Sequence, residues 1–275
     1  HYERFGKITD FFQENIRVNA KRFDHEKTTL ESWKTETDRV VNHSIEKYKE
    51  ITPRRLRESV FDLFYEVGTF RLTVVKSIIE ILKGKKILDP CAGWGDRLIG
   101  ALACSGVNTY VGVEPNQSLF KGYREICKKF NREMRKKKAR IQMLDFPFED
   151  AEIPEDDYNL VFTSPPYFNL EEYRGGDDNL QSIVRYPRLQ DWLKKFLFVM
   201  LKKAWSHLIP GGHMAIVIND TPDFKYVQKM LYFVANNLEN CLYRGCISYA
   251  SDESTPKRKN FGSPQPIWIW KKIQH

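Results

Sequence analysis

Ile87-Leu88-Asp89-Pro90-Cys91-Ala92-Gly93-Trp94-Gly95-Asp96-Arg97-Leu98 is the stretch on which the fold turns. Its apolar start reads as a short buried strand ending at Asp89, its glycines as a tight turn, and Asp96 onward as the start of a helix. Such a strand–turn–helix places backbone N–H groups and a helix N-terminus at the carboxyl end of a parallel strand. Open α/β sheets bind their ligands at that edge. Gly93 and Gly95 let a ligand approach the backbone closely. A dinucleotide-binding turn would look similar, but Leu98 stands where its third glycine belongs. No Lys-Ser/Thr pair follows, so the turn is not a P-loop.

Outward from this turn, short apolar runs alternate with amphipathic ones. Strands are expected over 86–89, 109–113, 139–144, 159–163 and 213–219, and helices over 96–103, 117–135, 189–207 and 224–238. The runs 241–249 and 266–272 read as two final strands, antiparallel to each other. The class is α/β, with a mostly parallel seven-stranded sheet covered by helices on both faces. Upstream, Leu63, Phe64, Val67, Leu72, Val75, Ile78, Ile79 and Leu82 carry a helical period up to Lys83-Gly84. Residues 38–49 and the segment after Pro53 also read as helical. Residues 1–50 are polar with scattered apolar positions such as Phe11, Phe12, Ile16 and Val18. The chain thus divides into a helical N-terminal appendage, 1–52, for substrate or partner contacts, and one α/β domain, 53–275.

Three more strand ends carry chemistry. Val113-Glu114-Pro115-Asn116 puts an acid where the second strand stops, suited to a pair of ribose hydroxyls. Leu144-Asp145-Phe146 ends the third strand with an acceptor for an adenine amine and a ring to flank it. Thr163-Ser164-Pro165-Pro166-Tyr167 follows the fourth. Taken singly, Glu114 is also a common helix-capping acid and Ser-Pro-Pro-Tyr a rigid turn. Four strand ends in order favour a site.

These segments resemble a known family. D-P-C-A-G-W-G-D-R-L, V-E-P-N and L-D-F are similar to the first three motifs of the Rossmann-like class I S-adenosylmethionine methyltransferases. S-P-P-Y resembles the (Asp/Asn/Ser)-Pro-Pro-(Tyr/Phe) motif of the amino-methyltransferases, among them DNA adenine and cytosine-amine methylases. The resemblance implies S-adenosylmethionine as cofactor, with Asp89, Pro90, Cys91, Ala92, Gly93, Gly95 and Asp96 about its methionine portion. It further implies Glu114 and Pro115 at the ribose and Asp145 and Phe146 at the adenine. Trp94 departs from the small residue usual after the first glycine.

Chemistry explains the tetrapeptide. An exocyclic amine is a poor nucleophile because its lone pair is delocalised into the ring. Ser164 and the Pro165 carbonyl can accept both amine hydrogens and favour a tetrahedral nitrogen. Consecutive prolines fix the backbone so that this carbonyl points inward, and Tyr167 offers a face for a flipped base. Ring-carbon methylation would need a Cys nucleophile after the fourth strand. The single Pro-Cys pair, Pro90-Cys91, lies in the first turn instead, where packing beneath the cofactor is expected. No metal is required.

A net charge of +8 over 275 residues fits a polyanionic partner. Basic clusters occur at Arg54, Arg55 and Arg57, from Lys128 to Arg140, and at Lys257, Arg258 and Lys259. Phe168 and Arg174, in a glycine-bearing flap after the tetrapeptide, and Lys257, Arg258 and Lys259 are candidate substrate contacts. The run 264–272 resembles the terminal strand of DNA amino-methylases, which favours DNA over RNA as partner. An RNA adenine or guanine methylase, and a non-catalytic or partner-dependent subunit, remain the alternatives. Without a sizeable target-recognition domain, specificity falls to the appendage, the flap, the 251–261 loop or a partner subunit. No apolar run of the ~20 residues needed to span a bilayer occurs. Five cysteines lack C-x-x-C pairing, so an intracellular location with reduced thiols is expected, in cytoplasm, nucleus or a virus-infected cell.

Overall fold

The alternation of the sequence becomes nine strands in the computed structural model, which describes residues 8–22, 26–64, 66–134, 136–173, 178–221, 223–249 and 265–274. They are β1 (Lys21–Arg22), β2 (Lys86–Asp89), β3 (Thr109–Val113), β4 (Arg140–Leu144), β5 (Tyr158–Thr163), β6 (Glu171–Glu172), β7 (Leu208–Val217), β8 (Cys241–Tyr249) and β9 (Gln265–Lys272). Seven form one sheet in the order β4-β3-β2-β5-β7-β9-β8. The first five run parallel, and β9 lies antiparallel between β7 and β8. The order reverses beside β2, between β3 and β5, so a crevice opens at the carboxyl end of the first expected strand. The final antiparallel pair is as the sequence predicts.

Strand period two sends neighbouring residues to opposite faces. Ile87, Tyr110, Leu160 and Phe162 face α5 (Leu72–Ile81), α6 (Asp96–Leu102) and α7 (Phe120–Ile126). Leu88, Val111 and Val161 face the other layer, built on Trp192, Phe196, Leu197, Met200 and Leu201 and on the helix Val227–Asn237. The central strands β2, β3 and β5 are therefore largely dry on both faces and read as continuous apolar runs.

Two details differ from the sequence reading. The helical period over 63–82 does not make one helix: Pro53–Phe64 is followed by residues 66–71 in non-helical backbone before α5. That break is held by polar partners, because Arg17 donates to Glu66 at 2.8 Å and to the Val67 carbonyl at 2.9 Å. Strand β7 also starts earlier than expected, at Leu208. Tyr158 pairs with Leu208 and Leu160 with His213, so Pro210, Gly211 and Gly212 bulge out between them.

The N-terminal segment packs on the sheet domain. Gln13, on the helix Asp10–Arg17, donates to the Leu119 carbonyl at 3.0 Å and lies where a Cβ on Gly122 would fall. Contacts also cross the 52/53 boundary, with the Tyr48 hydroxyl donating to Asp62 at 2.6 Å.

Candidate active site

The turn after β2 is held by a buried charge pair. Asp89 is fully buried, and its Oδ2 accepts from Arg97 Nε at 2.8 Å and from the Tyr110 hydroxyl at 2.6 Å. Arg97, one turn later on α6, also donates to the Cys91 carbonyl. Asp89 is therefore engaged with its own protein, and its part is to fix the turn from below. Pro90 is buried beside it, and Ala92 donates its N–H to the Val113 carbonyl at 2.9 Å.

The two glycines differ. Gly93 has φ +56, and a Cβ there would meet only the Cys91 carbonyl, at 4.0 Å. It borders open space. Gly95 has φ +92, and a Cβ there would press on Ile126 at 3.1 Å and Tyr123 at 3.3 Å. Its constraint is close packing against α7. Tyr123 further ties the turn by donating its hydroxyl to the Gly93 carbonyl.

Asp96 also departs from its expected place at the cofactor. One carboxylate oxygen accepts from the Thr9 hydroxyl and the other from the Phe70 N–H at 2.9 Å. The side chain is buried on the side of the Asp10–Arg17 helix, and that burial pushes its carboxyl up to about 6. It anchors the N-terminal segment.

Glu114 closes the other side of the open space. Its Oε2 accepts from the Gly93 N–H at 2.9 Å and its Oε1 from the Asn116 N–H at 3.0 Å. Desolvation raises this carboxyl to about 7 against the pull of those two N–H groups. Pro115 follows, half-buried. Asp145 and Phe146 lie exposed at the end of the adjacent strand β4, Phe146 at 53%, and Gln117 reaches Asp145 at 3.4 Å.

The tetrapeptide lies beside the turn. β2 and β5 pair in parallel, Leu88 against Val161, and the Cys91 N–H donates to Thr163 Oγ1 at 3.0 Å. Ser164 is half-buried, Pro165 buried, and Pro166 and Tyr167 half-buried. Cys91 Sγ packs 3.9 Å from Met200 Sδ, and burial pushes its thiol well above the usual range. A thiol so held is a poor nucleophile. Packing is its place.

Phe168 is not available to a substrate. Its backbone turns left-handed at φ +49 and sends the ring into the core, 5.0 Å from Phe224 and 5.7 Å from Trp192. At 4% exposure it pins the end of the tetrapeptide from beneath. Arg174, Lys257, Arg258 and Lys259 lie outside the described residues. The cluster at Arg54, Arg55 and Arg57 is neutralised locally, by Glu58 at 3.0 Å, Glu50 at 3.3 Å and Glu14 at 2.8 Å respectively. It offers little to a phosphate backbone.

Arg97, Tyr110 and Tyr123 were not singled out in the sequence, yet together with Thr163, which leads into the tetrapeptide, they hold the turn. Only Arg97 left a signal, as a charge within the otherwise apolar helix start Arg97-Leu98-Ile99. The described residues contain no group of three or more metal-ligating side chains, and none of their helices is long and apolar enough to cross a membrane.

No family model matches the sequence, and no curated protein matches it. Solved structures do. TrmN from Thermus thermophilus superposes with a TM-score of 0.48 at 14% identity, over 75% of this chain and 50% of that one. An rRNA methylase from Streptococcus thermophilus gives 0.46 at 10%, over 74% and 95%. The tRNA methyltransferase TrmI from Aquifex aeolicus gives 0.48 at 16%, over 75% and 71%. The chain spans about half the length of the Thermus protein. By its own topology, seven strands in the order above with helices on both faces, the chain has a Rossmann-like α/β fold.

Proposed function

We propose that the chain is an S-adenosylmethionine-dependent methyltransferase acting on the exocyclic amine of a nucleic-acid base, adenine or cytosine in DNA. The observation that carries this is the bond from the Cys91 N–H to Thr163 Oγ1, which joins the glycine turn to the residue before Ser164. A methyl donor on the turn and an amine at the tetrapeptide would meet there, and proximity of that kind supplies much of the acceleration in group transfer.

The residues present fit the cofactor. Open space borders Gly93, Glu114 keeps unused lone pairs for ribose hydroxyls, and exposed Asp145 and Phe146 suit an adenine. When bound, the cofactor supplies a methyl group on a positively charged sulfur. The chain's own part is to hold both reactants. Ser164 Oγ and the Pro165 carbonyl accept the two amine hydrogens and draw the nitrogen lone pair out of conjugation. Pro166 has no N–H to compete for that nitrogen, and the Tyr167 ring receives a base taken out of its stack. DNA is favoured by the resemblance of the 264–272 run to the terminal strand of DNA amino-methylases.

Transfer of a tritiated methyl group to matched single-stranded DNA, duplex DNA and RNA, followed by nucleoside mass spectrometry, tests the proposal. Methylated adenine or cytosine amine in DNA is expected, lost in Ser164→Ala while calorimetry finds cofactor affinity unchanged. Label in RNA alone would reassign the substrate. A protein that binds the cofactor but labels none of the three would overturn the nucleic-acid reading in favour of a protein substrate or a missing partner subunit.

A further inference from the structure

The segment leaving the tetrapeptide returns to the glycine turn. The Tyr173 ring meets Trp94 edge-to-face, with centroids 5.7 Å apart. Trp94 stands between Gly93 and Gly95 and is itself 7% exposed, so this contact fastens one loop of the site onto the other. Tyr173 is held on several sides. Its hydroxyl donates to the Glu171 carboxylate, its N–H donates to Gln181 Oε1 at 2.9 Å, and the Gln181 amide donates back to its carbonyl. Just before it, β6 pairs antiparallel with β1, Lys21 opposite Glu172 and Arg22 opposite Glu171. Lys21 Nζ lies 3.6 Å from the Glu172 carboxylate. Desolvation, followed by the neighbouring Glu171 carboxylate, pushes the phenol well above its usual range. It therefore remains a neutral donor near the acid assigned to the ribose.

A turn with two left-handed glycines has backbone freedom to lose when it orders around a ligand. Something must hold it in shape beforehand. From below, Arg97 and Tyr123 do so; from above, the described contact is the Tyr173 ring on Trp94. We propose that Tyr173 is a positioning residue for the cofactor: its ring, pressed on Trp94 and braced by the β1–β6 pair, presets the glycine turn. The proposal rests on the cofactor reading above. It also gives the N-terminal segment a role at the site through β1, and it explains a bulky Trp94 where a small residue would leave nothing to clamp.

The test is calorimetric titration of the full chain with S-adenosylmethionine and S-adenosylhomocysteine, for the wild type, Tyr173→Phe and Tyr173→Ala. Loss of the aromatic contact and of the preset turn should weaken Tyr173→Ala about tenfold. Tyr173→Phe keeps the ring and should stay within about twofold of wild type, a rescue set by the ring contact. Trp94 emission, isolated by subtracting the Trp94→Phe spectrum, should move to longer wavelength in Tyr173→Ala and return when cofactor is added. Should Tyr173→Ala lose its native circular dichroism, Tyr173→Leu replaces it with the same expected loss. Equal affinity in a folded Tyr173→Ala or Tyr173→Leu overturns the inference alone, as does a Tyr173→Phe variant as weak as they are. A wild type that binds neither ligand overturns the cofactor reading and this inference with it.

Discussion

Replacing Arg97 by Met separates the two parts that Asp89 could play. The pair is almost dry, with side-chain exposures of 7% for Arg97 and 0% for Asp89. Arg97→Met keeps an unbranched stem as far as the position of Nε but removes the Nε bond at 2.8 Å and the bond to the Cys91 carbonyl. Asp89 is left with the Tyr110 hydroxyl and a long contact from the Cys91 N–H at 3.3 Å. Removing one partner of a buried pair costs about 3–5 kcal/mol, because the other charge stays buried without compensation. Domains are stable by about 5–15 kcal/mol, so the variant should fold with a much lower urea midpoint. The turn, no longer tied at the Cys91 carbonyl, should bind S-adenosylhomocysteine at least about tenfold more weakly, an energy near 1.4 kcal/mol. In the double variant Asp89→Asn, Arg97→Met the buried charge is gone, and about 1–3 kcal/mol should return. Urea unfolding and calorimetry on the three variants decide the matter. An Arg97→Met cost below about 1 kcal/mol would refute the clamp. If Asp89→Asn lost binding while Arg97→Met kept it, Asp89 would touch the cofactor directly.

Three further outcomes are expected. Ribose hydroxyls donate best to a carboxylate, so with the Glu114 carboxyl raised to about 7 by desolvation, cofactor affinity should climb as pH rises through that value and then level off. Calorimetry a unit either side checks it, and Glu114→Gln should bind weakly with no slope. Asp96 is raised from 3.8 to about 6 in the folded protein, so it holds its proton more tightly folded than unfolded. Its contribution to stability is complete below the lower value and is lost as pH rises through the higher one. Asp96→Asn should remove that part of the decline in urea midpoints, and an unchanged profile would count against the buried carboxyl. Phe168→Ala empties a core site 4% exposed, at a cost of about 3–5 kcal/mol by urea unfolding. A cost below about 1 kcal/mol would return Phe168 to the substrate surface.

What the sequence determined by itself was the class of fold and the edge on which the candidate site lies. Short continuous apolar runs at 86–89, 109–113 and 159–163, with helical patterns between them, allow few arrangements other than a parallel sheet. Glycines, acids and prolines at strand ends mark its carboxyl edge because each answers to local backbone geometry. Tertiary structure decided which of those residues face the open space. Asp89 and Asp96 are both acids of the same turn, yet one is consumed by Arg97 and Tyr110 and the other by Thr9 and Phe70. Thr9 stands 87 positions away from Asp96 in the chain, and no local pattern encodes such a partner. Phe168 reads as an aromatic beside a catalytic motif until a left-handed backbone turns it inward. The β1–β6 pair joins two-residue strands, too short for any periodicity to announce them. Local sequence sets what an element is, through propensity and period. Which side of a turn a side chain takes depends on desolvation and on partners supplied from elsewhere in the chain, and only the assembled fold fixes those.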